Sequence, residues 1–127
     1  MRQRIEARGL LYRAIERAAD RRVRRGCVFG DSGLAVRRTA YDAAGGFADL
    51  PLFEDVDLSR RLRRLGRVAL VEEALVMVSA RRWRAEGVAL RTLKNRLLLA
   101  GFRLGVDPAR LERHYRPRRE SLEQERA

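Results

Sequence analysis

The sequence is poor in cysteine and contains no long apolar stretch. Cys27 is the single cysteine among 127 residues, so no disulfide can form within the chain, which is the usage expected in a reducing compartment. The longest run without a charged residue, Ala74 to Ala80, is far shorter than the ~18 residues that a membrane-spanning helix needs. The first twenty residues also lack the apolar segment of a secretory signal. We therefore expect a cytoplasmic location.

Motifs of several enzyme classes are missing as well. The sequence contains no Walker-type phosphate loop, CxxC pair, HExxH motif or GxSxG motif. Cys27 has no histidine near it in the sequence, and His114 has no second metal ligand at coordination spacing. Neither residue therefore predicts a nucleophile or a metal site, and we expect no cofactor to be bound by this chain's own residues.

Positive charge is abundant, and arginine carries nearly all of it. The chain has 29 basic against 17 acidic residues, a formal charge of +12, and Lys94 is the one basic residue that is not arginine. Selection for phosphate contacts, which the arginine fork suits, and a coding bias toward arginine are both consistent with this composition. In either case we expect nonspecific attraction to nucleic acid and to anionic membrane surfaces.

Turn residues and apolar periodicity predict one α/β domain between a basic helix and a charged tail. Residues 1–25 carry nine arginines and a broken apolar stripe at helical spacing, which predicts a basic amphipathic helix. Residues 26–116 alternate short strand and helix patterns, which favours an α/β arrangement of a few short strands packed by helices. Residues 117–127 are charged and aperiodic, which predicts a disordered tail.

Within the domain, the punctuation by glycine and proline sets the predicted elements. Strands are predicted at 34–36, 68–71 and 75–78, the last two buried, and helices at 39–44, 54–65, 88–104 and 108–115. One side of the 88–104 helix is rich in leucine. We expect this side to pack inside the protein, with peripheral contact to a membrane as the alternative. It consists of Leu90, Leu93, Leu97 and Leu104, and is widened by Leu98, Leu99 and Phe102.

An acidic pair at the start of the 54–65 helix is the first candidate site. At ~100° per residue, Asp55 lies on the side that carries Leu58 and Leu62, which should face the core. An unpaired charge is unfavourable there, whereas the first helical turn stabilises an ionised carboxylate. Asp55, next to Glu54, could act as a general base on a hydroxyl. The alternative is that both acids only stabilise the helix start.

Two further clusters could bind substrate. Arg81, Arg82 and Trp83 follow the predicted strand 75–78, so they should lie at the rim of the sheet, where α/β proteins commonly form their sites. Guanidinium groups neutralise phosphates, and an indole offers a flat apolar face to a sugar ring or base. Gly30-Asp31 is either a polar turn or a place where backbone approaches a ligand. Taken singly, each cluster is as well explained by ordinary surface structure.

Seven short segments between Cys27 and Pro117 together carry a resemblance to a known family. They are Phe29-Gly30-Asp31-Ser32-Gly33, Val36-Arg37-Arg38, Gly45-Gly46-Phe47, Pro51-Leu52-Phe53-Glu54-Asp55-Val56, Leu58-Ser59-Arg60-Arg61-Leu62, Gly66-Arg67 and Ser79-Ala80-Arg81-Arg82-Trp83. In this order they resemble glycosyltransferase family 2, in particular a bacterial subgroup labelled arsenosugar-biosynthesis glycosyltransferases. The resemblance implies a GT-A-type fold and transfer of a sugar, with inversion, from a nucleotide-sugar donor to a hydroxyl acceptor.

The resemblance also implies roles for individual residues. Asp55 matches the general base of the family, and Glu54 would position it. Arg82 would stabilise the leaving diphosphate and Trp83 would shape the acceptor side. Arg81, Gly30 and Asp31 would bind substrate. Processive members carry glutamine where this chain has Ser79, so the resemblance implies a single transfer rather than polymer synthesis.

The family's nucleotide-binding half is not among the matched segments. That half, with the Asp-x-Asp that holds a divalent metal, lies upstream of the match, and about 26 residues precede the match here. We expect this chain to be the acceptor-side, catalytic-base half, inactive alone, from a truncated, split or misread gene. Mg²⁺ or Mn²⁺ would then be bound only with the missing half, which a separate polypeptide could supply.

Two other hypotheses remain open. One is a basic protein on a remnant enzyme scaffold that binds nucleic acid or an anionic membrane, which predicts steeply salt-dependent binding. The scattered cations and the missing nucleic-acid-binding motifs count against this hypothesis. The other is an inert remnant that folds partially or not at all, which predicts no cooperative melting transition.

Overall fold

Two short parallel strands bring the beginning of the chain beside residues 75–78. The computed structural model describes residues 1–115. In it, strand β1 (Arg2–Ile5) pairs with strand β2 (Leu75–Val78), with Arg2 opposite Leu75 and Ile5 opposite Val78. The Arg2 N–H donates to the Ala74 carbonyl at 2.8 Å, which extends the pairing by one bond. No third strand joins this sheet within the described residues.

Helices make up most of the rest of the molecule. They are α1 (Leu10–Arg24), α2 (Arg38–Ala43), α3 (Glu54–Leu65), α4 (Arg81–Glu86), α5 (Val88–Arg103) and α6 (Pro108–Tyr115), with a 3₁₀ turn at Gly30–Ser32. The coarse α/β class is confirmed. The predicted helices 54–65 and 108–115 have the predicted bounds, the one at 88–104 ends one residue earlier, and the one at 39–44 begins and ends one residue earlier. The predicted tail, 117–127, lies outside the described residues.

The prediction of one helix over residues 1–25 is wrong at its start. Residues 2–5 form β1, and Gly9, with a φ of 139°, turns the chain before α1 begins. The strand buries Gln3 and Ile5, while Arg2 and Arg4 lie on its other side. This alternation is the period of a strand, and the backbone pairing with β2 stabilises it over a helix.

Two other strand predictions are also wrong. Residues 34–36 and 68–71 have no regular structure, because no strand lies beside them to accept their backbone hydrogen bonds. Residues 75–78 do form β2, but this strand is not buried. The side chains of Leu75 and Met77 are exposed, at 58% and 59%, because nothing in residues 1–115 covers that face.

The core lies where β1, α1 and α3 meet. Its most buried apolar side chains are Ile5, Ala19, Val23, Val28, Val56, Leu58 and Leu62. Ser59 is fully buried among them, and its hydroxyl accepts from the Val28 N–H at 3.3 Å and donates to the Val56 carbonyl at 3.0 Å. These bonds attach the start of the 3₁₀ segment to α3, and so position the candidate site.

The expected packing of the leucine-rich side of α5 is corrected. Leu90, Leu97 and Leu104 are exposed, at 63%, 63% and 86%, whereas the buried residues of α5 include Arg91. Arg91 is buried because its guanidinium donates to Glu86 at 3.1 Å and lies 4.7 Å from the Tyr115 ring centroid. Leu93 is exposed as well, at 55%, and the helix packs instead through the side that carries Arg91 and Leu98, so of the predicted side Leu98 is buried. No helix in residues 1–115 combines the length and the apolar character that a membrane span requires.

Candidate functional site

The carboxylate of Asp55 is held at the first turn of α3. Its Oδ2 accepts a short hydrogen bond from the Gly30 backbone N–H, and its Oδ1 accepts from the Val56 N–H at 2.6 Å. A Cβ at residue 30 would lie 3.3 Å from Oδ2, so glycine allows this close approach. The carboxylate is half-buried and fixed from two sides, which preorganises it for proton transfer.

The residue before this acidic pair has a strained backbone. Phe53 has a φ of 65°, a conformation that is a genuine outlier for a bulky side chain and costs about 1–3 kcal/mol. Its ring lies 5.1 Å from that of Phe102 and 6.3 Å from that of Phe29. Such aromatic contacts help to offset the strain. They connect the start of α3 to the 3₁₀ segment through Phe29 and to α5 through Phe102.

Asp31 and Arg22 form the electrostatic centre of the site. Gln3 Nε2 donates to Asp31 Oδ2 at 3.4 Å, and the Arg22 guanidinium lies 3.8 Å from the Phe29 ring centroid. Although Asp31 as a residue is exposed, lost hydration of its carboxylate raises its pKa, against the attraction of Arg22. The charge of Asp55 raises this pKa further. Burial lowers the pKa of Arg22, and the negative charge of Asp31 acts to raise it again.

A cavity of about 380 Å³ lies between α1 and α5, and Asp31 and Trp83 both line it. Its apolar wall comes from Leu11, Ile15, Ala18, Val88, Leu93 and Leu99. Two of the sequence-predicted site residues therefore share one cavity. Asp55 does not line this cavity; its carboxylate accepts from the N–H of Gly30, the residue before Asp31.

The other predicted site residues do not line the cavity. Helix α4 begins three residues after β2, and its first residues are Arg81, Arg82 and Trp83, which agrees with a position near the strand end. Arg81 is exposed, and Arg82 donates to the Tyr115 hydroxyl at 2.8 Å. Glu54 is half-buried, and its carboxylate makes no hydrogen bond or ion pair within residues 1–115.

The residues present do not fit a divalent metal. Within the described residues, no three His, Cys, Asp or Glu side chains lie close enough to hold an ion. Asp55-Val56-Asp57 has the spelling of a metal motif, but Asp57 accepts from Arg61 at 2.9 Å while Asp55 binds the Gly30 N–H. The two carboxylates are committed to different partners, so we assign no step to a metal bound here.

Several cavity residues are absent from the sequence predictions. Thr92 and Asn95 carry the clearest signal, since two uncharged polar residues spaced three apart lie on one side of a helix. Gln3 lies on the same side of β1 as the buried Ile5. Its burial can be predicted only once residues 2–5 are recognised as a strand. Arg22 carried no signal, because it is one of nine arginines in the first 25 residues.

Comparisons of the chain with protein-family models, with curated proteins and with solved structures found no match. The resemblance to family 2 glycosyltransferases therefore stays a prediction carried by the motifs.

Proposed function

We propose that this chain supplies the acceptor-side, catalytic-base part of an inverting, non-processive family 2 glycosyltransferase with a GT-A-type fold. A nucleotide-binding half, encoded upstream or supplied by a separate polypeptide, would bind the nucleotide-sugar donor. Any divalent metal would be bound by that half. The chain described here would be inactive without it.

The observation that carries the proposal is the setting of Asp55. Its carboxylate lies in a helical first turn, where the helix dipole favours the ionised form, and it is anchored by the Gly30 N–H. It acts electrostatically on Asp31, which lines the same cavity as Trp83. Three of the motifs that carry the resemblance thus lie in one region although they are far apart in the sequence.

In the proposed reaction Asp55 accepts the proton of the acceptor hydroxyl. The hydroxyl oxygen then forms a bond to the anomeric carbon on the face opposite the leaving group. The bond from that carbon to the diphosphate oxygen breaks, and the nucleoside diphosphate leaves with the electron pair. Arg82, exposed beside Trp83, would stabilise the charge that develops on the diphosphate.

Two uncovered apolar surfaces support the need for a second half. Parallel sheets are normally covered on both faces and contain more than two strands, whereas β2 exposes Leu75 and Met77. On α5, Leu90 and Leu97 are also exposed. Surfaces of this kind are typical of regions that another segment covers.

The first test is the DNA directly upstream of the Met1 codon. It should encode βα repeats and an Asp-x-Asp, in frame or nearly so, and unrelated sequence there would contradict the proposal. Co-expression of that segment with this chain should produce transfer from one of a panel of uridine and guanosine diphosphate sugars.

The second test compares two acids of the same helical turn. Asp55→Asn should lower kcat of the reconstituted enzyme at least about 100-fold while donor binding persists. Asp57→Asn is the matched control, since Asp57 binds Arg61 and should leave kcat within a few fold. Full activity of Asp55→Asn would remove Asp55 from the mechanism.

A further inference from the structure

Polar atoms without partners are concentrated around the α1–α5 cavity. Within residues 1–115, six buried side-chain polar atoms have no hydrogen-bond partner, and five of them belong to residues that line this cavity. These five are Gln3 Oε1, Arg22 Nε, Trp83 Nε1, Thr92 Oγ1 and Asn95 Oδ1. Gln3 is the most buried of the five residues, at 2% exposure.

Such a concentration is unusual for a surface that only packs against itself. Buried polar groups in proteins are nearly always hydrogen-bonded, and each unmet one is destabilising. Here they come from two parts of the sequence that are far apart, β1 and α1 near its start and α4 and α5 after residue 80. In the structure each of these atoms is enclosed, so the side chains would have to turn toward a bound molecule that offers them partners, and such a molecule would then remove the penalty at several of them at once.

The atoms define the hydrogen bonds that the molecule must make. Arg22 Nε and Trp83 Nε1 can only donate, Gln3 Oε1 and Asn95 Oδ1 can only accept, and the Thr92 hydroxyl can do both. The bond from Gln3 Nε2 to Asp31 fixes which end of that amide is unpaired. A phosphate or carboxylate would leave the two acceptors unmet, and an ammonium would leave the two donors unmet. Hydroxyl groups satisfy both kinds.

The charge and the walls of the cavity narrow the class further. Arg22, Arg96 and Asp31 all line the cavity, so charges of both signs are present and a neutral molecule is repelled by none of them. Most of the wall is apolar, with Leu11 and Ile15 on α1 facing Leu93 and Leu99 on α5. An apolar group on the molecule would bury this surface, and the volume of about 380 Å³ is that of a small-molecule site.

We infer that the α1–α5 cavity binds a neutral, polyhydroxylated molecule with an apolar group, of the kind represented by an alkyl glycoside. The hydroxyls contact the polar atoms near Gln3, Trp83 and Asn95, and the apolar group lies against the leucines of α1 and α5. As a binding site, this stands without any transfer reaction. Its identity as the acceptor site rests on the proposed function.

Binding can be measured on this chain without a second half. Trp83 is the single tryptophan and lines the cavity, so its fluorescence reports occupancy directly. The probe is n-octyl β-D-glucoside below its micelle-forming concentration. Methyl β-D-glucoside tests the apolar group, and octyl sulfate tests the hydroxyls against an anion with the same tail. We expect saturable one-to-one binding of octyl glucoside, at least about tenfold tighter than either comparison compound.

Thr92→Val provides the sharpest variant. It replaces a partnerless hydroxyl with a methyl group of the same shape, so the melting temperature should stay equal or rise while octyl glucoside binding weakens about 3–10-fold. Thr39→Val is the matched control, because Thr39 is exposed and outside the cavity. It should leave binding unchanged. Asn95→Leu should repeat the pattern of Thr92→Val.

The outcomes separate cleanly. Weaker binding in Thr92→Val and Asn95→Leu, with stability retained, supports the site. Equal binding in both variants, or octyl sulfate binding as well as octyl glucoside, overturns it. A failed transfer assay with intact glucoside binding would contradict the proposed function and leave this inference standing.

Discussion

The backbone N–H of Gly30 donates a hydrogen bond to the carboxylate of Asp55, joining two motifs 25 residues apart. The 3₁₀ turn at Gly30–Ser32 presents this N–H to the start of α3. A backbone donor has little freedom to move, so the bond fixes one oxygen of the carboxylate. Any change that pushes Gly30 away from Asp55 should therefore alter the position of the proposed base more than it alters stability.

Gly30→Ala tests this relationship. The new Cβ would lie 3.3 Å from Asp55 Oδ2, so the carboxylate must move by a few tenths of an ångström. We expect kcat of the reconstituted enzyme to fall about tenfold, since small misplacements of a catalytic group are costly to rate. The free energy of unfolding should change by less than about 1 kcal/mol.

Gly66→Ala is the matched control for this substitution. Gly66 has extended backbone with a φ of 179°, and a Cβ there would have no neighbour within 4 Å. Its kcat should equal that of the unmodified protein. Equal rates for both variants would show that the Gly30 contact does not position Asp55.

Glu16 offers a test of what holds β1 against α1. It is 1% exposed, and its carboxylate accepts from the Ile5 N–H at 2.8 Å and from Arg13 at 2.7 Å. Glu16→Gln should lower the free energy of unfolding by about 1–3 kcal/mol, measured by urea denaturation. Glu72→Gln is the control: it breaks an exposed pair with Arg24 and should cost less than about 1 kcal/mol.

The same residue predicts a pH dependence. Burial acts to raise the pKa of Glu16, but the bonds from Ile5 and Arg13 outweigh it, and the pKa is lowered from 4.5. The stabilisation is therefore present above pH 4.5 and is lost as the pH falls through the folded-state pKa. The stability difference between the unmodified protein and Glu16→Gln should narrow below pH 4.5. If the difference in unfolding free energy between the two proteins stays constant on acidification, the charge of the Glu16 carboxylate is not the source of the stabilisation.

How far the sequence predicted this structure depends on the range of the interactions. Helix α3 is predicted to the residue because its signals are local: acids in the first turn, a leucine stripe and Gly66 at the end. Strand β1 is missed because its partner, β2, begins only at Leu75, far from residues 2–5 in the sequence. No pattern within residues 1–10 indicates this pairing.

The candidate site divides in the same way. Asp55 and Trp83 are predicted from motifs that can be read locally. In the structure Trp83 shares a cavity with Asp31, whereas Asp55 lies outside that cavity, so a common site for the two stays a prediction. The position of Arg82 is not predicted, because its bond to Tyr115 depends on how α6 packs. The exposure of the leucine side of α5 is likewise not predicted. It follows from the burial of Arg91, and no periodicity in the sequence identifies the partners of Arg91.

Asp31 should destabilise the folded chain at neutral pH. Lost hydration raises its pKa from 3.8, so the folded state disfavours the ionised form. The penalty is absent below pH 3.8, grows as the pH rises through the folded-state pKa, and is complete above it. Asp31→Asn should therefore raise the melting temperature at pH 7, and this gain should vanish below pH 3.8.

Asp42→Asn is the control for that measurement. Asp42 is exposed and pairs with Arg38 at 2.9 Å on the surface of α2, so its removal should change the melting temperature little. A lower melting temperature for Asp31→Asn at pH 7 would mean that the attraction of Arg22 outweighs the lost hydration. Asp31 would then be a stabilising residue.

The exposed face of β2 should govern self-association of the isolated chain. Leu75 and Met77 lie next to each other on this face, and an uncovered apolar strand is a ready site for pairing with another copy. The double variant Leu75→Lys, Met77→Lys should shift the chain toward monomer in sedimentation velocity across a concentration series. Leu104→Lys is the control: Leu104 is 86% exposed at the end of α5, and a charge there should leave the association unchanged. If Leu104→Lys gives the monomer and the β2 variant does not, association runs through α5, and the proposed second half should be sought against that helix instead.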